Sequence, residues 1–121
     1  MITLKGKEFE FSFTNVDNLE KWDEGRKKVE KKYKKITENK LKNDISLSDY
    51  AKLLKDMCYA IFELFDNTLG EGASEKIFGN TVDFEVCVDV YLEFEAQMLD
   101  QYERLSNKTS RIEAPIGEKG K

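Results

Sequence analysis

From Val16 to Leu105 the apolar residues of this chain recur at steps of three and four, in runs separated by short polar or glycine-containing breaks. That spacing stacks side chains on one face of an α-helix and commits most of the chain to helix. The first run is Val16, Leu19, Trp22, Val29, Tyr33 and Ile36, with Thr14 or Asn15 as its cap, Asp17 in its first turn and Asn43-Asp44 as its break. Arg26 interrupts it and it is mostly one residue wide, which suits a helix packed along one seam with its lysines solvated. A second, wider run of Tyr50, Leu53, Leu54, Met57, Ile61, Leu64 and Phe65 opens at Ser46 or Ser48 and ends at Gly70, which is expected to form a left-handed cap. That width places the second helix in the core. Ala73 to Phe78 reads as a short helical turn stopped by Gly79.

The third long helix is expected to start from a cap at Asn80 or Thr81 and to run to Ser106. Phe84, Cys87, Val88, Tyr91, Leu92, Phe94, Met98, Leu99, Tyr102 and Leu105 cover more than one of its faces, so it needs two neighbours, or one neighbour and a partner chain. Val86, Val88 and Val90 also alternate like a strand, but the length of the segment favours helix.

Before the helices, Ile2 to Lys5 and Glu8 to Phe13 alternate apolar and polar residues on either side of Gly6-Lys7, the pattern of a β-hairpin over residues 2–13. A two-residue type II′ turn with Gly6 and Lys7 at its centre pairs Lys5 with Glu8, Leu4 with Phe9, Thr3 with Glu10 and Ile2 with Phe11. An isolated hairpin is marginal in water, so Leu4, Phe9 and Phe11 must rest on a helix or on another chain. After Ser106 the periodicity fades, the only proline appears at Pro115, and residues 107–121 read as a flexible tail. The fold class is therefore mainly α with a small β element (α+β): one helical domain over residues 1–106, built from an N-terminal hairpin, three long helices and a short connecting helix, then the tail.

With 121 residues, 40% hydrophobic and 36% charged, the chain is long enough for one core and too apolar for disorder. Its composition excludes much chemistry. Histidine is absent, which removes the commonest general base, the usual zinc ligand and every Ser/His or Cys/His nucleophile pair. Two cysteines, Cys58 and Cys87, cannot complete a Cys/His zinc site, and they sit among apolar residues as buried thiols do. Asp66 to Gly72 lacks the ligand order of a calcium loop, and Gly70, Gly72 and Gly79 match no phosphate-binding fingerprint. Glu93 and Glu95 point in different directions on a helix and do not form an acid/base pair. No catalytic residue, cofactor or metal is expected.

Net charge is -4, which argues against a general nucleic-acid binder, yet the charge is unevenly spread. Between Lys21 and Lys42 ten basic residues stand against four acidic ones, whereas between Thr81 and Leu105 seven acidic residues face only Arg104. One basic helix and one acidic helix allow complementary contacts between subunits, so a homo-oligomer is expected. No stretch approaches the roughly 20 apolar residues needed to span a bilayer, and no secretory signal opens the chain, so a cytoplasmic location is expected. What remains is protein binding, with Phe9 and Phe11 of the hairpin and Phe84, Val88, Tyr91, Phe94, Met98 and Tyr102 of the third long helix as its candidate residues.

The opening Met1-Ile2-Thr3-Leu4-Lys5-Gly6-Lys7-Glu8-Phe9-Glu10-Phe11, followed by an all-helical remainder and a charged tail, resembles the small tail assembly chaperones of long-tailed phages and prophages of Gram-positive bacteria. The resemblance implies a protein that keeps the long apolar tape measure protein soluble and helps recruit tail tube subunits to it, in the bacterial host cytoplasm. The alternative is another phage or prophage structural component, such as a minor tail or connector protein. Trp22-Asp23-Glu24-Gly25 also invites comparison with secreted WXG-type helical hairpins, but the spacing is off by one residue and Trp22 lies inside a helical stripe.

Overall fold

The computed structural model describes residues 1–42 and 45–119 of the chain; Asn43 and Asp44, where the first helix is expected to break, and the last two residues of the tail lie outside the described residues. Two strands, β1 (Ile2–Leu4) and β2 (Lys7–Phe9), precede four helices: α1 (Val16–Lys42), α2 (Leu47–Leu69), α3 (Ala73–Phe78) and α4 (Phe84–Lys119). The expected class and element order hold. No helix among the described residues is long and apolar enough to cross a membrane.

The hairpin forms, but in another register. Ile2 pairs with Phe9, Thr3 with Glu8 and Leu4 with Lys7, so the turn is centred on Lys5-Gly6 and the expected Leu4/Phe9 and Lys5/Glu8 pairs are absent. The cause is the turn. Lys5 at φ 52° and Gly6 at φ 80° are both left-handed, as a type I′ turn requires, and that turn matches the twist of its strands. A slip of two residues leaves every side chain on its original face, so Ile2 and Leu4 are still fully buried. Pairing ends at Phe9, and Phe11 and Phe13 enter the core from the segment that follows.

Local signals set most helix boundaries. Asn15 caps α1, its Oδ1 accepting from the Asn18 N–H at 3.2 Å, and Ser46 caps α2, its hydroxyl accepting from the Asp49 N–H at 3.0 Å. Gly70 ends α2 at φ 118° and ψ 157°, a glycine conformation outside the left-handed helical well that a Schellman-type cap uses. At α4 the expected cap is corrected. Asp83, not Asn80 or Thr81, accepts from the Glu85 N–H at 2.9 Å; Thr81 lies in the turn before it, its N–H donating to the Phe78 carbonyl at 3.0 Å, and the helix starts only at Phe84.

Phe94 of α4 is the hub of the core. Its ring lies 4.1 Å from Trp22 of α1, 4.8 Å from Phe13, 5.4 Å from Phe11 and 5.6 Å from Phe65 of α2, measured between centroids. One side chain thus joins the hairpin segment to both neighbouring helices, and contacts of this kind contribute about 0.5–1.5 kcal/mol each beyond area burial. The Trp22 indole N–H sits in this cluster without an acceptor among the described residues. Cys58 and Cys87 are free and buried, and burial pushes both thiols up, away from the reactive thiolate.

α4 does not stop at Ser106. It continues through the segment expected to be a tail as far as Lys119, and every residue from Tyr102 to Ile112 is exposed. Nothing between Ser106 and Ile112 is a glycine or a proline, and adding a residue to an existing helix costs far less than starting one.

Candidate protein-binding surface

The outer edge of β1 faces α4, where three side chains spaced four apart bind the backbone at Thr3, in the turn and in the segment after β2. Gln97 Oε1 accepts from the Thr3 N–H at 2.8 Å, and Gln97 Nε2 donates to the Thr3 carbonyl at 2.7 Å. On either side of it, Glu93 accepts from the Lys5 N–H at 2.8 Å and Gln101 from the Phe13 N–H at 3.0 Å. The Gln97 carboxamide thus presents to Thr3 the acceptor and donor that another strand would present, and the row closes this edge to further pairing. It also holds Lys5 in its left-handed conformation, which costs a non-glycine residue roughly 1–2 kcal/mol. Sequence reasoning missed this row. The available signal was the repeat of glutamine at 97 and 101, one turn apart in an otherwise acidic and apolar helix.

The clamp changes the meaning of the candidate residues. Phe11 and Phe94 are core, not surface. Phe84, Tyr91 and Met98 pack half-buried against that core, and Phe9, also half-buried, lies under the Lys76 ammonium of α3 at 5.0 Å from its ring centroid. These six are claimed by the chain's own hairpin and helices, because α4 spends its widest apolar face there. Of the eight, Tyr102 alone is exposed, at 66%, and Val88 is half-buried outside the core cluster.

Two other apolar sets on α4 stand uncovered. At roughly 100° per residue, Tyr102, Leu105 and Ile112 prolong the face that carries Phe94 and Met98 into the body, yet they are 66%, 40% and 69% exposed. The body simply ends before them. Leu92 and Leu99, with Val88, form a separate ridge on the outward side, and Asp89 and Glu103 lie along one edge of it. Both uncovered sets come from the apolar residues that made α4 look two-sided in sequence, apart from Ile112, which fell in the presumed tail.

Opposite in sign is α1. Lys28, Lys31, Lys32 and Lys35 form one wall of a groove of about 290 Å³ whose floor and far wall are Gly25 of α1 and Ala60, Glu63, Leu64 and Asn67 of α2. Glycine at 25 lets the helices approach this closely, since an added Cβ would collide with Leu64 Cδ1. Arg26, which interrupts the stripe, is bound within α1 to Asp23 at 2.6 Å and Glu30 at 2.8 Å. Those contacts, first with Arg26 and then with Lys27, hold the Asp23 carboxyl below the usual range. A second, more open groove between α1 and α4 contains Tyr33, Tyr91 and Glu95 with Lys27, Lys31 and Lys34. Burial, and then Glu95 and Glu30, push the Tyr91 phenol up to about 12.

Among the described residues no three Cys, Asp or Glu side chains cluster closely enough to hold a metal ion. The surfaces that stand out are apolar helix faces edged by charge, of the kind that marks interaction sites. A family model described as a family of unknown function, DUF6673, matches residues 5–115. No curated protein and no solved structure matches the chain.

Proposed function

This chain belongs to the DUF6673 family, whose function is unknown, and we propose that it is a non-enzymatic protein-binding protein of the tail assembly chaperone kind. It holds apolar helical segments of a long partner, the tape measure protein of a long-tailed phage, soluble in the host cytoplasm while tail tube subunits are recruited. The phage context rests on the resemblance of the opening segment and the order of elements.

The observation that carries the binding reading is the uncovered seam Tyr102, Leu105 and Ile112, a continuation of the core face beyond the body of the fold. A helix of the partner laid along it takes the place that α1, α2 and the hairpin occupy further back, as in helix-in-groove recognition. Magnitudes fit a transient helper. Covering the exposed parts of the three, 66%, 40% and 69%, contributes roughly 3–5 kcal/mol at about 1.5–3 per fully covered side chain, against an association cost of about 4–15 kcal/mol. One seam therefore binds weakly and reversibly, and several copies along a long partner hold it.

The test is co-expression with the very long tape measure protein that this reading expects to be encoded just downstream. The wild-type chain is expected to bring the partner into the soluble fraction, and a Tyr102→Glu/Leu105→Glu variant, which leaves the core alone, is expected to fail. A partner that stays insoluble with the wild-type chain sinks the reading. Finding this chain at stoichiometric amounts in mature particles assigns it instead to the structural components of the tail.

A further inference from the structure

We infer that the lysine-walled groove between α1 and α2 is a docking site for a second copy of this chain, which inserts the outward acidic ridge of α4. The groove offers an apolar floor, Gly25, Ala60 and Leu64, beneath one wall of four lysines. The ridge offers Val88, Leu92 and Leu99, with Asp89 and Glu103 along one edge. A groove with one basic wall and a ridge with one acidic edge match in both shape and sign.

Apart from Lys28, the wall lysines and the ridge carboxylates Asp89 and Glu103 form no ion pair among the described residues. Among the described residues, the ion pairs of α1 lie within α1 itself except for Lys28 with Glu63 of α2, at 4.0 Å, and no α1 lysine is paired with an α4 carboxylate. The chain's own α4 contributes no residue to the groove lining, so its ridge does not fill this site. Meanwhile the lysines repel one another. Lys28/Lys32 and Lys31/Lys35 are four apart, and like-charged pairs at that spacing each cost about 0.2–0.5 kcal/mol. An acidic edge laid beside them turns that repulsion into attraction and covers Leu92 and Leu99, which are otherwise 54% and 58% exposed.

The contact joins two different surfaces, so it is heterologous, and each copy keeps one free groove and one free ridge. It uses a different face of α4 from the Tyr102/Leu105/Ile112 seam and stands whether or not that seam binds a tape measure protein. Two charge-reversed chains test it without any partner: a groove variant, Lys31→Glu/Lys35→Glu, and a ridge variant, Asp89→Lys/Glu103→Lys. All four residues are exposed, so both variants are expected to melt like the wild type. By sedimentation velocity the wild type is expected to self-associate at tens of micromolar and each variant to do so at least about tenfold more weakly. Mixed, the two variants are expected to associate with each other, since the intact ridge of one meets the intact groove of the other and the reversed groove meets the reversed ridge. A monomeric wild type overturns the proposal, as does a groove variant that still self-associates or a mixture that stays monomeric.

Discussion

Up to Gln101 and beyond it, α4 is one continuous helix under two different conditions. The first part carries Cys87, Val90 and Phe94 into the core and gives Glu93, Gln97 and Gln101 to the hairpin and the segment that follows it. The second carries an apolar pattern of the same phase, Tyr102, Leu105 and Ile112, into solvent. Helix propensity does not distinguish the parts; what differs is whether other elements of the chain reach them. The contrast teaches that an apolar helical stripe reports a need for cover and says nothing about who supplies it. In the first part the chain supplies it for the face that carries Phe94, and in the second none of the described elements does.

If that contrast is right, substitutions in the two parts have unequal costs. Phe94→Ala removes the hub of the aromatic cluster and is expected to lower unfolding free energy by about 3–5 kcal/mol, whereas Tyr102→Ala is expected to change it by less than about 0.5 kcal/mol. Urea titrations of both variants give the comparison directly, and equal losses would abolish it. A smaller effect is expected at the clamp. Gln97→Ala removes the partner of the outward N–H and carbonyl of Thr3, which are solvent-exposed, at a cost of about 0.5–1.5 kcal/mol, and is expected to speed hydrogen exchange at the Thr3 amide more than at amides within α2. Unchanged exchange there means that solvent replaces the carboxamide without loss.

Truncation after Ser106 sharpens the comparison from the other side. Removing the rest of α4 is expected to shift Tm by no more than about 2–4 °C, the equivalent of about 0.5 kcal/mol in a domain of this size. A larger drop would show that the distal part supports the body. A last effect is expected at alkaline pH. Tyr91 has its folded pKa raised from the ordinary 10.0 to about 12, first by burial. The stabilisation linked to it is complete below pH 10 and is lost as pH rises toward 12. Tyr91→Phe should therefore lose less stability than the wild type across that interval, and parallel curves would remove Tyr91 from the account.

The sequence by itself determined the hairpin's place, the helical character of the rest and the burial of Ile2, Leu4, Trp22 and Phe65, because period-two and period-3.6 patterns are local and survive errors of boundary. The hairpin register was not legible. Type I′ and type II′ turns both use Gly6, and a shift of two residues preserves every face, so the choice lay with the turn twist and with the Glu93, Gln97 and Gln101 contacts from about ninety residues away. For the same reason Phe11 and Phe94 read as binding residues when they are core, while Leu92, Leu99, Leu105 and Ile112 are the exposed ones. Amphipathic spacing tells which residues share a helix face, but which faces the other elements cover depends on where the chain runs out of neighbours, and that is a property of the assembled fold.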